Sequence, residues 1–280
     1  LKEKCTDTMF YLFSTNTDRE IFRFGREGRG VCEFYYPFFL VNSFAYDSLI
    51  IYDSPAATLT KIDLAALVES RDIAKCVNSE HLYRNLNFMY NFNKIDSAFI
   101  GTFIEKDEGL FSFCNRNNGQ IKNTDYVPYY FYEKGRKDAY CHHVLVSEKD
   151  NSIIVPFKYM NLINCYDLDG NLKVTYALDW IKEDINTQIR VDEHTTVTFY
   201  RTYATRNRCY LVWDGHKIEE ELRKYPAKIV VMNWQGELEK VYQLDNFADF
   251  IIPDEKQRMI YVGVYNAGLE FVEIYKYPML

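Results

Sequence analysis

The chain has 280 residues, with 33 Lys and Arg against 40 Asp and Glu, a formal net charge of −7. That balance argues against a general nucleic-acid binder, whose affinity rests on basic side chains neutralising phosphates. Hydrophobic residues at 48% and charged residues at 26% exclude wholesale disorder.

No run of 18 apolar residues occurs, so no membrane-spanning helix is encoded. Aromatics are unusually frequent, at 17% (24 Tyr, 20 Phe, 3 Trp), which favours half-buried pleated surfaces and hence β-structure. The chain begins at Leu1 without a signal-peptide pattern and reads as a processed or trimmed product. Its seven cysteines (5, 32, 76, 114, 141, 165 and 209) are odd in number and form no Cys-x-x-Cys pair. A chain this long buries a core without disulfide staples, so free, mostly buried thiols are expected.

Along the chain, Met9 to Ser14 and Ile21 to Phe24 are predicted strands around the turn Thr15-Asn-Thr-Asp18. Ser48 to Tyr52 and Thr58 to Leu64 flank Asp53-Ser54-Pro55. Leu64 to Asn87 has patchy apolar spacing that suits one or two helical turns. Leu110 to Lys122 reads as strand, turn, strand. Tyr140 to Ser147 and Ser152 to Phe157 form the next strand pair, and Asn161 to Lys173 a second strand–turn–strand unit. Thr196 to Thr205 and Arg208 to Trp213 follow. Lys217 to Lys224 has good helix formers and stops before Pro226. Ala227 to Glu239 is a third strand–turn–strand unit. Phe247 to Ile252 and Met259 to Tyr265 pair next, and Phe271 to Tyr277 is a first arm with no second.

The three strand–turn–strand units share one signature. An apolar run leads to Gly119, Gly170 or Gly236, then a polar residue, then Ile121, Leu172 or Leu238. Gly supplies the positive φ that such a turn requires. The turns recur at intervals on the order of a propeller blade, ~40–50 residues. Four strands per unit with polar turns is a blade pattern. One four-stranded sheet cannot cover both of its faces, whereas radially stacked sheets cover each other. A two-sheet sandwich explains alternating strands but not a recurring turn signature.

Several segments together resemble a known family. Phe22-Arg-Phe-Gly25-Arg-Glu-Gly28-Arg-Gly30-Val-Cys-Glu33-Phe34 is similar to the fGxxGxGPxEF segment of TolB-like six-bladed β-propeller proteins, with Val31 in place of the usual Pro. Tyr203-Ala-Thr205, Tyr210-Leu-Val-Trp-Asp-Gly215, Ile229 to Gly236, Tyr242-Gln-Leu-Asp245 and Met259-Ile-Tyr-Val262 extend the resemblance to nearly the whole chain. These proteins are mostly cell-envelope lipoproteins of Bacteroidetes with no established activity. The resemblance implies a single all-β domain over residues 1–280. It would be a six-bladed β-propeller of four-stranded antiparallel blades, the last closed by the N-terminal strand. It also implies a periplasmic or outer-membrane-attached location. Cys5 follows the charged Leu-Lys-Glu-Lys, so membrane attachment would come only through a lipid anchor preceding Leu1.

The chemistry-bearing candidates are few. Gly25-Arg-Glu-Gly28-Arg-Gly30 invites a phosphate-loop reading, but strand-like residues follow where a helix N-terminus is needed. A tight crossover is expected instead, with Arg26, Arg29 and Glu33 paired locally or lining one face of the ring. Asp167-Leu-Asp-Gly170-Asn resembles the start of a calcium loop, yet the twelfth position is Leu178, which cannot ligate; a polar turn is expected. His142 and His143 are adjacent on a predicted strand and point to opposite faces, which disfavours a shared metal. No Gly-x-Ser-x-Gly elbow is present. Cys141 beside His142 is no dyad by adjacency alone. Cys114 and Cys165 occupy the same repeat position as Val231, which points to packing.

Thr198-Phe-Tyr-Arg201-Thr-Tyr203 is the sharpest site candidate, because a blade's first strand lines the central channel. Aromatic faces with a guanidinium suit sugars, peptides or carboxylates. The candidate ligand-binding residues are therefore Arg201, Tyr200, Tyr203, His142, Glu33 and Arg26. No cofactor and no metal are expected. The expected partner is a small molecule, a glycan or an envelope protein, not nucleic acid. The function expected is a non-enzymatic binding or scaffold module. The alternative is a glycan- or peptide-processing enzyme at the channel mouth, which would need two carboxylates ~5–10 Å apart.

Overall fold

The computed structural model describes residues 8–17, 19–30, 32–40, 48–103, 109–125, 140, 142–178, 191–220, 225–266 and 271–279. Cys5, Val31 and Cys141 lie outside them, as do Asp18 and residues 221–224 of the predicted helical stretch; its described part is a bridge residue and a turn. The chain divides into two compact units, Leu1–Lys106 with Ser112–Lys122, and Asp107–Phe111 with Asn123–Leu280.

The first unit opens with β1 (Phe10–Ser14) and β2 (Arg19–Phe24), a two-stranded hairpin. A four-stranded antiparallel sheet follows: β3 (Pro37–Phe39), β4 (Ser48–Asp53), β5 (Thr58–Asp63) and β6 (Val77–His81). Between β5 and β6 runs the short helix α1 (Leu64–Ser70), capped by the Asp63 carboxylate, which accepts from Ala66 N. The next sheet is β7 (Met89–Lys94), β8 (Ala98–Phe103), β9 (Ser112–Asn115) and β10 (Ile121–Asn123).

Alternation along β4 shows why these elements need each other. Ile51 packs with Phe10, Phe24, Phe34 and Leu67, on the side of the hairpin and α1. Its neighbour Tyr52 turns to the opposite face and joins Met89, Phe92 and Phe99 of the second sheet, with its ring stacked 4.0 Å from that of Phe92. Both faces of a buried strand are apolar, so both require a cover.

The second unit holds β11 (Leu145–Ser147), β12 (Ser152–Pro156), β13 (Leu162–Tyr166) and β14 (Leu172–Ala177); then β15 (Phe199–Ala204), β16 (Arg208–Trp213), β17 (Lys228–Asn233) and β18 (Leu238–Gln243); then β19 (Phe250–Asp254), β20 (Met259–Asn266) and β21 (Phe271–Pro278). The first strands β11, β15 and β19 lie alongside one another. Sheet-to-sheet packing is apolar: Tyr210, Val212, Ile229 and Val231 meet Ile251, Ile260 and Val262. Glu255 clasps the two sheets at their turns. It accepts from Thr205 Oγ1 at 2.6 Å, Asn207 Nδ2 at 2.9 Å and Tyr210 OH at 3.1 Å, with Arg208 at 3.6 Å.

This is an all-β propeller topology, and the count differs from the six blades expected. Among the described residues there are five blade sheets, four of four strands and one of three. Among the described residues, β1 pairs with β2, and β19, β20 and β21 form the last sheet, with no N-terminal strand added to it. The repeated glycine signature marks the third and fourth strands of three consecutive sheets. The strands flanking Asp53-Ser54-Pro55 are instead the second and third of their sheet. The stretch from Leu64 to Asn87 contains α1 and two single 3-10 turns, Ile73–Lys75 and Arg84–Leu86, but also β6.

Cys32, Cys76, Cys114, Cys165 and Cys209 are free and buried, and burial pushes the Cys165 thiol up to about 11. Gly170 has φ +86°, and the Asp167 carboxylate binds the turn beneath it through Asp169 N, Asn171 N and Lys173. Burial works against that carboxylate, yet the Lys173 ammonium and Asn171 outweigh it and hold it well below the usual range.

Gly170→Val is expected to lower unfolding stability by about 1–3 kcal/mol in urea titrations, because a β-branched residue resists positive φ. An unchanged midpoint would refute the turn's need for glycine. Glu255→Ala is expected to cost about 1–3 kcal/mol by the same measurement, since it strands the donors of the β15–β16 turn.

Candidate functional site

In an antiparallel meander, the starts of strands one and three share an end with the finishes of strands two and four. In the second unit that shared end carries His143 before β11, Lys158 and Tyr159 between β12 and β13, and Thr198 before β15. It also carries Asp214 and His216 after β16, and Phe247 and Asp249 before β19. Their proximity follows from strand direction and not from sequence spacing.

Thr198 anchors this end. It is buried, and its hydroxyl lies 2.8 Å from Phe157 O, 2.9 Å from Met160 O and 3.1 Å from Lys158 O, while its N–H donates to Lys158 O at 2.7 Å. The start of β15 is thereby tied to the turn that presents Lys158. The β15–β16 register then slips: Phe199 pairs with Trp213 and Arg201 with Val212, leaving Tyr200 as an extra residue. In a regular strand Tyr200 and Arg201 would face opposite ways; a bulge re-aims one of them. Here the Arg201 guanidinium lies over the Tyr200 ring, 3.9 Å from its centroid.

Three hydrogen bonds hold that guanidinium. Nε donates to Asp249 O at 2.9 Å, Nη1 to Tyr200 O at 3.3 Å and Nη2 to Tyr200 OH at 3.2 Å. Lys158 Nζ stands 5.2 Å from the Tyr200 ring and 4.8 Å from that of Tyr159. Phe247 flanks Tyr200 at 6.2 Å between ring centroids. His143 Nε2 lies 3.1 Å from Tyr200 O. Burial drives His143 down to about 4, with Arg201 and Lys158 acting in the same direction, so it is neutral at pH 7. Among the described residues, no carboxylate lies within ion-pair distance of Arg201 or Lys158.

The other sequence candidates are placed differently. His142 bridges to the Phe157 backbone, its ring 5.9 Å from that of Phe157, and burial pushes it down to about 4. Tyr203 packs against the apolar cluster between the last two sheets. Arg26 and Glu33 belong to the first unit and are paired with each other, Nε to Oε1 at 2.6 Å, while Gly30 N donates to Glu33 Oε2 at 2.7 Å. The Gly30 amide and the Arg26 guanidinium lower the Glu33 carboxyl below its usual range. Arg29 Nε donates to Tyr35 OH at 2.6 Å. No helix follows this loop; β3 does. Lys158, Asp214 and Asp249 were not among the sequence candidates; His143 was weighed only beside His142 for a metal, and Asp214 lies unremarked within the Tyr210-Leu-Val-Trp-Asp-Gly215 segment.

Asp214 and His216 form a buried pair, 3.0 Å apart with side chains each 1% exposed. Burial raises the Asp214 carboxyl to about 6, against the opposing pull of His216 and Arg201, while Asp249 adds to the rise. A carboxyl raised above its ordinary 3.8 stabilises the fold most when protonated. That contribution is complete below about pH 4 and is lost as pH rises through 6. Stability is therefore expected to fall between pH 4 and 7 by on the order of 1–3 kcal/mol relative to Asp214→Asn. Parallel denaturation curves for the two proteins across that range would overturn the assignment.

No protein-family model matches the chain, and no curated protein does. Among solved structures, it is similar to a member of the DUF4221 family from Bacteroides vulgatus, with a TM-score of 0.59 and 11% identity over 99% of this chain and 88% of that one. It is also similar to a candidate exported protein from Bacteroides fragilis, with a TM-score of 0.51 and 8% identity over 91% of this chain and 73% of that one. Likenesses at this identity show the fold alone. They carry neither the TolB-like assignment nor any residue's role.

Proposed function

We propose that the chain is a non-enzymatic binding or interaction-scaffold propeller of the bacterial cell envelope, with its ligand site at Tyr200 and Arg201. The observation that carries this reading is the β15 bulge. It fixes a guanidinium over a tyrosine ring by three hydrogen bonds while leaving it without a carboxylate partner among the described residues. A rigid cation with no ion-pair partner among the described residues is suited to recognition, because little ordering entropy remains to be lost on binding. The envelope location is supported by the likeness to a candidate exported protein and by the resemblance seen in the sequence.

One feature favours the enzyme alternative: Asp214, raised to about 6, lies close enough to Asp249 to feel its charge. Their surroundings speak against catalysis. The Asp214 side chain is 1% exposed, and Asp249 Oδ2 accepts from Tyr265 N at 2.6 Å.

In a thermal-shift screen of glycans, peptides and small acids, Arg201→Ala is expected to weaken capture about 10–100-fold, the cost of losing a charge-assisted hydrogen bond. The unliganded melting temperature should stay nearly unchanged. Collapse of the unliganded fold would make Arg201 a structural residue and remove the site.

A further inference from the structure

The donors around Tyr200 can be counted. A guanidinium has five N–H groups and no acceptor. Three of those of Arg201 are engaged, by Asp249 O, Tyr200 O and Tyr200 OH, and no described residue engages the other two. The Lys158 ammonium has three more, and its recorded contacts are the faces of Tyr159 and Tyr200. Both cations stand within 5.2 Å of the same ring centre. The nearby carboxylate of Asp249 turns one oxygen to Tyr265 N, and Arg201 meets Asp249 only at its carbonyl. Asp214 is paired with His216. Both cations thus lack an ion-pair partner among the described residues, while the Asp249 and Asp214 carboxylates are each held by another group.

We propose that this site takes the carboxylate of a small organic or saccharide acid, held between the Arg201 guanidinium and the Lys158 ammonium. The proposal rests on the binding reading above and narrows it to a ligand class. A planar carboxylate matches the two guanidinium N–H groups that no described residue engages and the ammonium across the same ring. A phosphate dianion would bring a second negative charge beside the Asp249 and Asp214 carboxylates. The Tyr200 hydroxyl already accepts from Arg201 Nη2, so its own proton is available to a second ligand oxygen. The ring faces of Tyr159 and Phe247 border the position where the body of the acid would lie.

The test is isothermal titration of the full chain with D-glucuronate, D-glucose, acetate and inorganic phosphate at fixed ionic strength. Glucuronate and acetate should bind saturably, glucose should not, and phosphate should bind more weakly than either acid. Lys158→Ala and Arg201→Ala should each weaken glucuronate binding at least about tenfold. Arg201→Lys should fall between wild type and Arg201→Ala, because it keeps the charge and loses the fork. Lys158 makes no hydrogen bond through its side chain among the described residues, so Lys158→Ala serves as the variant whose folding is undisturbed, checked by circular dichroism. Glucose binding as tightly as glucuronate, with the same sensitivity to Arg201, would overturn the carboxylate assignment and leave the binding site standing. Phosphate binding more tightly than both acids would overturn it as well. Absence of any Arg201-dependent anion binding would end the proposal, and the broader thermal-shift screen decides separately whether the binding reading survives.

Discussion

A strand that is apolar on both faces must be covered on both, and the rest of this protein follows from that requirement. In β4, Ile51 and Tyr52 turn to opposite sides, and each is met by a different neighbouring element. In the sheet of β15 to β18, Tyr210, Val212, Ile229 and Val231 face the last sheet, while Cys209, Leu211, Val230 and Met232 alternate to the other side and are equally buried. The sheet faces are thus consumed by packing. Polar chemistry is left to the strand ends, where backbone turns need partners and solvent is near.

The two ends of the β15–β18 sheet handle charge in opposite ways. At the turn end, Arg208 is neutralised by Glu239 and Glu255, and Glu255 also satisfies Thr205, Asn207 and Tyr210. That network is closed on itself. At the other end, Arg201 is anchored by carbonyls and a phenol, which orient a guanidinium without cancelling its charge. Backbone carbonyls orient a cation and leave its field available, whereas a carboxylate partner quenches it. This difference in partner type separates a clasp from a recognition site in the same sheet.

Much of the architecture was legible in the sequence because its markers are local. Gly119, Gly170 and Gly236 each sit at positive φ in the turn between third and fourth strands, and each is followed by the aliphatic that opens the next strand. The blade count was not legible, because first strands and the N-terminal hairpin carry no comparable marker. β6, with the polar sequence Val-Asn-Ser-Glu-His, and β7, interrupted by a bulge near Asn91, break the alternation by which strands are recognised. For the site, Arg201 stood out as a cation among aromatics on a first strand. Its companions Lys158, Asp214 and Asp249 come from three other segments, and only strand direction and register assemble them. The bulge at Tyr200 is a one-residue slip in pairing, which no composition or spacing announces.

The outermost strands carry a further consequence. Each fourth strand among the described residues is exposed over much of its length and carries charge: β6 bears Glu80, β10 Lys122, β14 Lys173, and β18 both Glu239 and Lys240. Such rims offer unpaired amides to any passing chain, and in so aromatic a polypeptide an apolar rim would template fibril growth. A like strand docking in register would have to press like charges together and strip them of water. The fringe of ionised side chains therefore works as a guard against edge-to-edge self-association in a tyrosine- and phenylalanine-rich chain.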